Sequence, residues 1–349
     1  MNTASRLVVV TMVALAMMGF AATSVHAITY DLVPVGNAGN ANDTTGYGGV
    51  AYDYQIGKYD VTIGQYTTFL NAVAKTDTYA LYNGSMGTDL NIAGISRAGS
   101  SGSYTYSVIG SANRPITYVS WFDSARFANW MANGQPTGIQ TGTTTENGAY
   151  DVNAATSGNA VAKNATNPNT SAAPTFFIPT ENEWYKAAFY SQALNSSSGG
   201  YYTYATQSNT APGNVIGSGS NQANYYNGVF SVTQSASYSS SQNYLTDVGA
   251  FTSSASYYGT FDQSGNVYQW NDLGGTAGSS RGLRGGTWGD NAFNLSSAGR
   301  LTSGPSNEFN GVGFRLASPV AVPEPSTWVM AAGGLACVAW RTLRRRGAT

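Results

Sequence analysis

Ile178-Pro179-Thr180-Glu181-Asn182-Glu183-Trp184-Tyr185-Lys186-Ala187-Ala188 is the stretch that says most about the fold. Thr180 offers a hydroxyl that can cap a helix, and Glu183 stands three residues on to return the hydrogen bond. Pro179 holds the entering chain extended after Phe176-Phe177-Ile178. A helix is predicted from Thr180 to about Tyr190.

Working outward, the same device recurs at Ser120 with Asp123. There a helix is expected through Met131, with Trp121, Ala125 and Ala128 on one face and Pro115 marking the turn before it. Earlier, residues 50–59 alternate in the manner of a strand, and residues 62–74 carry Tyr66, Phe69, Leu70 and Val73 at helical spacing. Later come short aromatic, glycine-punctuated strands at residues 257–261, 267–271, 283–288 and 313–317. Helices early and irregular β-structure late predict an α+β domain with little regular secondary structure. Residues 37–48, 134–174, 195–200, 209–222 and 231–256 are rich in Gly, Ser, Thr, Asn and Ala and are expected to be surface loops and insertions. No repeat period is present, which argues against a solenoid or propeller.

Composition removes chemistry. The 349 residues include one histidine and one cysteine, His26 and Cys337, and both lie in terminal segments. The chain between them cannot build a Cys/His zinc site, a histidine-bound iron, a Ser-His-Asp or Cys-His nucleophile or a disulfide framework. Only 9% of residues are charged. The middle of the chain holds eleven basic and sixteen acidic residues, a balance of −5. A surface of that kind has no footprint for a phosphate backbone, so nucleic acid is not an expected partner.

The ends read as addresses. Arg6, an apolar run from Leu7 to Ala22 and Val25-His26-Ala27 make a secretory signal peptide over residues 1–27, with cleavage expected after Ala27. At the other end stand Val322-Pro323-Glu324-Pro325-Ser326, an apolar stretch over residues 327–340, and Arg341, Arg344, Arg345 and Arg346. The arginines keep that end cytoplasmic, while the apolar stretch falls short of the about 20 residues of a full span. A short transmembrane segment serving as a transient inner-membrane tether is the expectation. Residues 322–349 resemble the PEP-CTERM sorting signal, with Pro323, Glu324 and Pro325 as its motif. That resemblance implies exosortase as a partner, cleavage near the motif, and delivery to the surface of a Gram-negative, exopolysaccharide-producing bacterium.

The islands between the ends also resemble a family. Lys58-Tyr59-Asp60-Val61-Thr62, Arg114-Pro115-Ile116, Val119-Ser120-Trp121-Phe122-Asp123, Ile178 to Trp184, Gly265-Asn266-Val267-Tyr268-Gln269-Trp270, Arg284-Gly285-Gly286-Thr287-Trp288, Arg300 and Gly313-Phe314-Arg315-Leu316 occur in the order of the formylglycine-generating enzyme, or sulfatase-modifying factor, family. The resemblance implies one domain over residues 28–318 of the sulfatase-modifying-factor type, related to the C-type-lectin fold. In that family's oxidases the Arg-Gly-Gly segment leads into two copper-binding cysteines; here Gly289-Asp290-Asn291-Ala292 follows Trp288, and the histidines of an iron-dependent branch are missing too. Copper(I) needs soft thiolate ligands, which Asp and Asn cannot replace.

No catalytic residue and no resident cofactor are therefore expected. The metal candidate is a weakened calcium site at Asn266 and Gln269, in the run from Asp262 to Asp272, where a glutamine stands in place of the family's glutamate. Arg284, Arg300 and Arg315 are read as scaffold, paired to carboxylates such as Glu308 and Asp290. Trp121, Trp184 and Trp270 are read as core, and Glu183 as a helix cap. The candidate ligand groove is placed at Trp288, Asp290 and Asn291, beside Asn266 and Gln269, with surface polysaccharide or peptide as its ligand. The expected role is a non-catalytic binding or structural module. The alternative is an enzyme with cysteine-independent chemistry, or a polysaccharide hydrolase built on carboxylates.

Overall fold

The computed structural model describes residues 27–319. The signal peptide and the Pro323-Glu324-Pro325 tail with its apolar stretch lie outside the described residues, and among the described residues no helix is long and apolar enough to cross a membrane.

Three helices carry regular structure: α1 (Ile63–Val73), α3 (Trp121–Ala132) and α4 (Glu181–Phe189). Between and after them stand four-residue turns α2 (Ser85–Thr88), α5 (Leu194–Ser197) and α6 (Ala292–Leu295). Each long helix opens on a complete capping box, Thr62 with Gln65, Ser120 with Asp123 and Thr180 with Glu183. The sequence expectation thus holds where the signal is local. Helix α3 departs from it in one respect: every residue from Trp121 to Ala132 is buried, so it has no solvent face. Its polar residues are accommodated by partners. Asn129 binds the backbone of Thr145 and Tyr150, and Arg126 forms a two-pronged bond to Glu146 at 2.8 Å per prong.

Two small sheets organise the rest. In the first, β2 (Tyr54–Gly57) is flanked by β1 (Leu32–Val35) and β13 (Ala317–Ser318), both antiparallel to it, so the two ends of the domain meet on one strand. The second runs β11 (Leu301–Ser303), β10 (Arg281–Arg284), β9 (Tyr268–Asn271) and β12 (Val312–Gly313), with β12 parallel to β9. Two-stranded ribbons complete the domain: β3 (Ile95–Ala98) with β4 (Thr105–Val108), β5 (Tyr190–Ser191) with β6 (Gly200–Tyr201), and β7 (Gly217–Ser220) with β8 (Phe251–Ser253). The main core joins α1 to α3 through Phe69, Phe127 and Trp130, whose rings lie 5.2–5.7 Å apart, and Phe314 closes it edge-on. The architecture is α+β.

Four expectations are corrected. Residues 257–261 are turn, not strand. The strand placed at 283–288 is β10 and ends at Arg284, because Gly285 and Gly286 take φ of 107° and 74° and turn the chain. Residues 313–317 divide between β12 and β13, which serve different sheets. Residues 134–174 are not surface filler, since Thr145, Glu146, Tyr150 and Asn167 are buried against α3.

Candidate functional site

The arginines and acids of the sequence islands pair with one another inside the domain, with partners other than those expected. Glu181 receives Arg284 and Arg300, each at 2.7 Å, and Arg315 bonds Asp60 at 3.0 Å; Glu308 and Asp290 pair with neither. Glu183 caps α4 and accepts a hydrogen bond from the Tyr52 hydroxyl. These two glutamates are committed to structure.

Asn266 and Gln269, two residues of one island, enter separate networks. The Gln269 oxygen accepts from the Trp184 indole at 2.6 Å and from Arg315 Nε at 2.7 Å, while its amide nitrogen donates to the Asp262 carbonyl. A guanidinium stands where a cation would have to bind, so the residue does not fit a calcium ligand. The Asn266 oxygen is likewise occupied, by Asn224 Nδ2 at 2.9 Å and the Thr246 amide at 3.2 Å. Among the described residues no cluster of three or more His, Cys, Asp or Glu could hold a metal ion. The side-chain oxygens of both expected calcium residues are thus engaged by hydrogen-bond donors.

Asn266 has another task. Gly265 and Asn266 adopt φ of 93° and 68°, which lets the Asn266 carbonyl accept the Trp288 amide at 3.0 Å while its side chain grips Thr246 from both sides. Asn224, held on the same side chain, donates to the Tyr244 carbonyl at 2.9 Å. Asn91 braces the same loop from outside. Its amide nitrogen reaches the carbonyls of Ser239 and Gln242, its carbonyl takes the Tyr244 amide, and its side-chain oxygen takes the Tyr238 hydroxyl at 2.5 Å. Two loops distant in sequence are thereby fixed against each other.

The result is a stack of rings. Trp288 lies on Tyr244 with centroids 4.7 Å apart and planes at 11°, and Tyr238 lies against Tyr244 at 5.9 Å and 14°. Phe230 packs beneath, 4.5 Å from Tyr244 and 6.0 Å from Trp288. Tyr244 is 1% exposed and Phe230 8%, whereas Tyr238 is 58% exposed and Trp288 half-buried. A buried ring thus carries two that meet solvent.

Tyr118 borders this shelf and packs with Trp288 on Ile92, Leu245 and Val267. Its backbone holds φ of 56°, an unfavourable conformation for a bulky residue, and such strain gathers at functional sites. The Tyr118 amide bonds the Phe309 carbonyl, and its hydroxyl donates to Asp89 at 2.9 Å. Burial, then the Asp89 bond, pushes that hydroxyl up to about 12, so it remains a proton donor. Beyond Thr287 lies an apolar hollow of about 320 Å³ lined by Tyr268, Leu283, Leu301, Phe309 and Val312.

Of the predicted groove residues, Trp288 is on the shelf, whereas the side-chain oxygens of Asp290 and Asn291 are turned to the chain just before and after it. One Asp290 oxygen accepts from the Thr287 amide and hydroxyl, both at 2.9 Å, and the other from Asn294 at 2.7 Å. Asn291 caps the short turn α6. Both are spent on the turn that presents Trp288. Tyr238, Tyr244 and Asn91 were not foreseen in the sequence; two of them lie within residues 231–256, and two tyrosines six apart in a serine-rich segment are the only local signal.

With this geometry in place, the comparisons assign the chain. Residues 36–320 match the family model described as sulfatase-modifying factor enzyme 1-like domain, and residues 321–346 match the PEP-CTERM protein-sorting motif. The chain belongs to the family of that domain, and its tail marks it for export, exosortase processing and surface sorting in a Gram-negative bacterium. Similar solved structures include CarF, 20% identical over 84% of this chain and 99% of that one, with a TM-score of 0.45. Variable protein 1 of Treponema denticola is 17% identical over 85% and 98%, with a TM-score of 0.47. PvdO of Pseudomonas aeruginosa is 17% identical over 83% and 92%, with a TM-score of 0.40. No curated protein matches the chain.

Proposed function

We propose that this chain is an exported, non-catalytic binding module of the cell surface or extracellular matrix, and that the shelf of Tyr238 and Trp288, carried on the buried Tyr244 ring, holds a neutral, hydroxyl-rich ligand, surface polysaccharide before peptide. The observation that carries this reading is the rigid ring stack braced by the Asn91, Asn224 and Asn266 amides. Flat rings supply contact area to the apolar face of a sugar, and their fixed positions lower the ordering cost of binding. The family's copper chemistry does not fit the residues present, because residues 28–319 contain no cysteine. The best candidate acids for a hydrolase, Glu181 and Glu183, are engaged in ion pairs and a cap. Tyr238 is the clean test because it is exposed. On a glycan array the purified chain should bind at least one neutral polysaccharide fragment, and Tyr238→Ala should weaken that binding roughly tenfold, as for loss of one stacking ring. Binding that is indifferent to Tyr238→Ala places the ligand elsewhere.

A further inference from the structure

The apolar hollow beyond Thr287 is built on one face of the second sheet. Leu301 of β11 stands opposite Leu283 of β10, Leu283 opposite Trp270 of β9, and Val312 of β12 opposite Tyr268, two residues before Trp270. Side chains alternate along a strand, so Leu301, Leu283, Tyr268 and Val312 share that face. The hollow opens at the sheet's edge, where β11 pairs with β10 alone and Leu301 and Phe309 are exposed.

Among these apolar walls stands one polar group without a partner. Tyr268 is only 7% exposed, and its hydroxyl makes no hydrogen bond among the described residues. Its oxygen is still reachable: among the described residues, the unpaired side-chain atoms that are closed to solvent belong to Gln55, Asp60, Arg126, Gln140 and Asn271. Burial, aided by the nearby Asp290 charge, pushes the phenol up, so it stays protonated. It is a donor that lines an open hollow of about 320 Å³ and lacks an acceptor.

That combination selects a ligand. No charged side chain lines the space, and the Asp290 charge felt at Tyr268 disfavours an anion. A cation finds no carboxylate on the walls, and a wholly apolar group would leave the phenol unpaired. A small apolar group next to one carbonyl acceptor, as in an acetyl amide, satisfies both walls and donor. On the rim, Thr302 and Asn310 are exposed and their side chains make no hydrogen bond among the described residues, so they are available to ring hydroxyls. The hollow also adjoins the ring shelf. Thr287 on its wall precedes Trp288, and Phe309 gives its carbonyl to the amide of Tyr118, which packs beside Trp288.

We propose that this hollow is an acetyl-recognising subsite beside the shelf, which takes an N-acetylated sugar whose methyl group lies among Leu283, Phe309 and Val312 and whose carbonyl accepts from the Tyr268 hydroxyl. The proposal rests on reading the shelf as a glycan platform, and it narrows the ligand to a polysaccharide that contains N-acetylhexosamine.

The test uses the full chain in mild detergent, with ligand-observed NMR and calorimetry. The probes are the methyl glycosides of N-acetylglucosamine and N-acetylgalactosamine, their parents methyl glucoside and methyl galactoside, and N-acetyl-leucine amide as the peptide control. At least one acetylated glycoside should bind at roughly millimolar concentration and at least about fivefold more tightly than its parent. Tyr268→Phe keeps the ring and removes only the donor, so it should weaken the acetylated sugar about fivefold, as for one hydrogen bond, and erase its preference over the parent. Phe309→Ala, at an exposed position, should weaken it by a similar factor with an unchanged melting temperature. The proposal is overturned if no acetylated sugar binds, if parent and acetylated sugars bind equally, if binding survives both substitutions, or if N-acetyl-leucine amide alone occupies the hollow. Tyr238→Ala separates the two sites: it should spare these monosaccharides while weakening polysaccharide fragments, so failure of the shelf and failure of the hollow read differently.

Discussion

Asp290 shows how a side chain's chemistry can be read correctly and its address wrongly. A small carboxylate following Arg-Gly-Gly-Thr-Trp looks available to a ligand, yet its two oxygens accept three hydrogen bonds from Thr287 and Asn294 and its carbonyl takes the Tyr226 amide. Asp290→Ala should therefore cost about 1–2 kcal/mol, the ordinary loss for a capping acid, and lower the melting temperature by a few degrees. Asn291→Ala removes one exposed bond and should stay within about 0.5 kcal/mol. Equal melting temperatures for the two variants would show that the turn does not depend on Asp290. Glu181 presents the same lesson in the core. It is the shared anchor of Arg284 and Arg300, whose guanidinium groups also lie 4.7 Å and 5.5 Å from the Tyr47 ring.

Among elements, those built from neighbours in sequence were legible and those built from distant partners were not. The capping boxes need only four residues each: α3 and α4 start where Ser120 and Thr180 predict, and α1 falls where the apolar spacing of residues 62–74 puts it, on a Thr62 cap that the spacing did not reveal. The late strands are two to four residues long and are defined by partners far away: β13 exists because β2 lies beside it, and β12 because β9 does. The shelf was hidden for the same reason, since Asn91 fixes a loop about 150 residues downstream. Trp288 and Asn266 could be named from their motifs, but not the rings they hold. This contrast predicts different costs. Thr180→Ala removes one cap and should cost about 1 kcal/mol in urea unfolding. Gly265→Ala should cost considerably more, because a Cβ there meets the Asn224 carbonyl at 2.3 Å and the backbone sits at φ of 93°. A Gly265 variant as stable as the Thr180 one would mean that this junction yields, and the shelf with it.

At the scale of the whole molecule, sparse charge is not the same as uncharged cores. With only 9% charged residues, the chain nevertheless buries Asp60, Asp123 and Asp272 almost completely. Desolvation dominates all three. It pushes Asp123 up to about 7, aided by nearby Glu308 and opposed by the Ser120 bonds, and it raises Asp60 and Asp272 against the pull of Arg315 and Arg281. A carboxyl with a raised native pKa binds more protons folded than unfolded between the two values, so its contribution to stability falls as pH rises through that interval. For Asp123 the interval runs from the ordinary value near 4 to about 7. The melting temperature should accordingly be highest on the acid side and decline as pH is raised from about 5 to about 8, and Asp123→Asn, which keeps the cap acceptor, should flatten that slope. Lys186, lowered to about 8 by burial, acts in the opposite sense, but only above pH 8. Thermal melts across this range decide the matter: a melting temperature that climbs from pH 5 to pH 8 would mean that the arginines hold these acids ionised and that the core is an ion-pair network instead of a set of protonated caps.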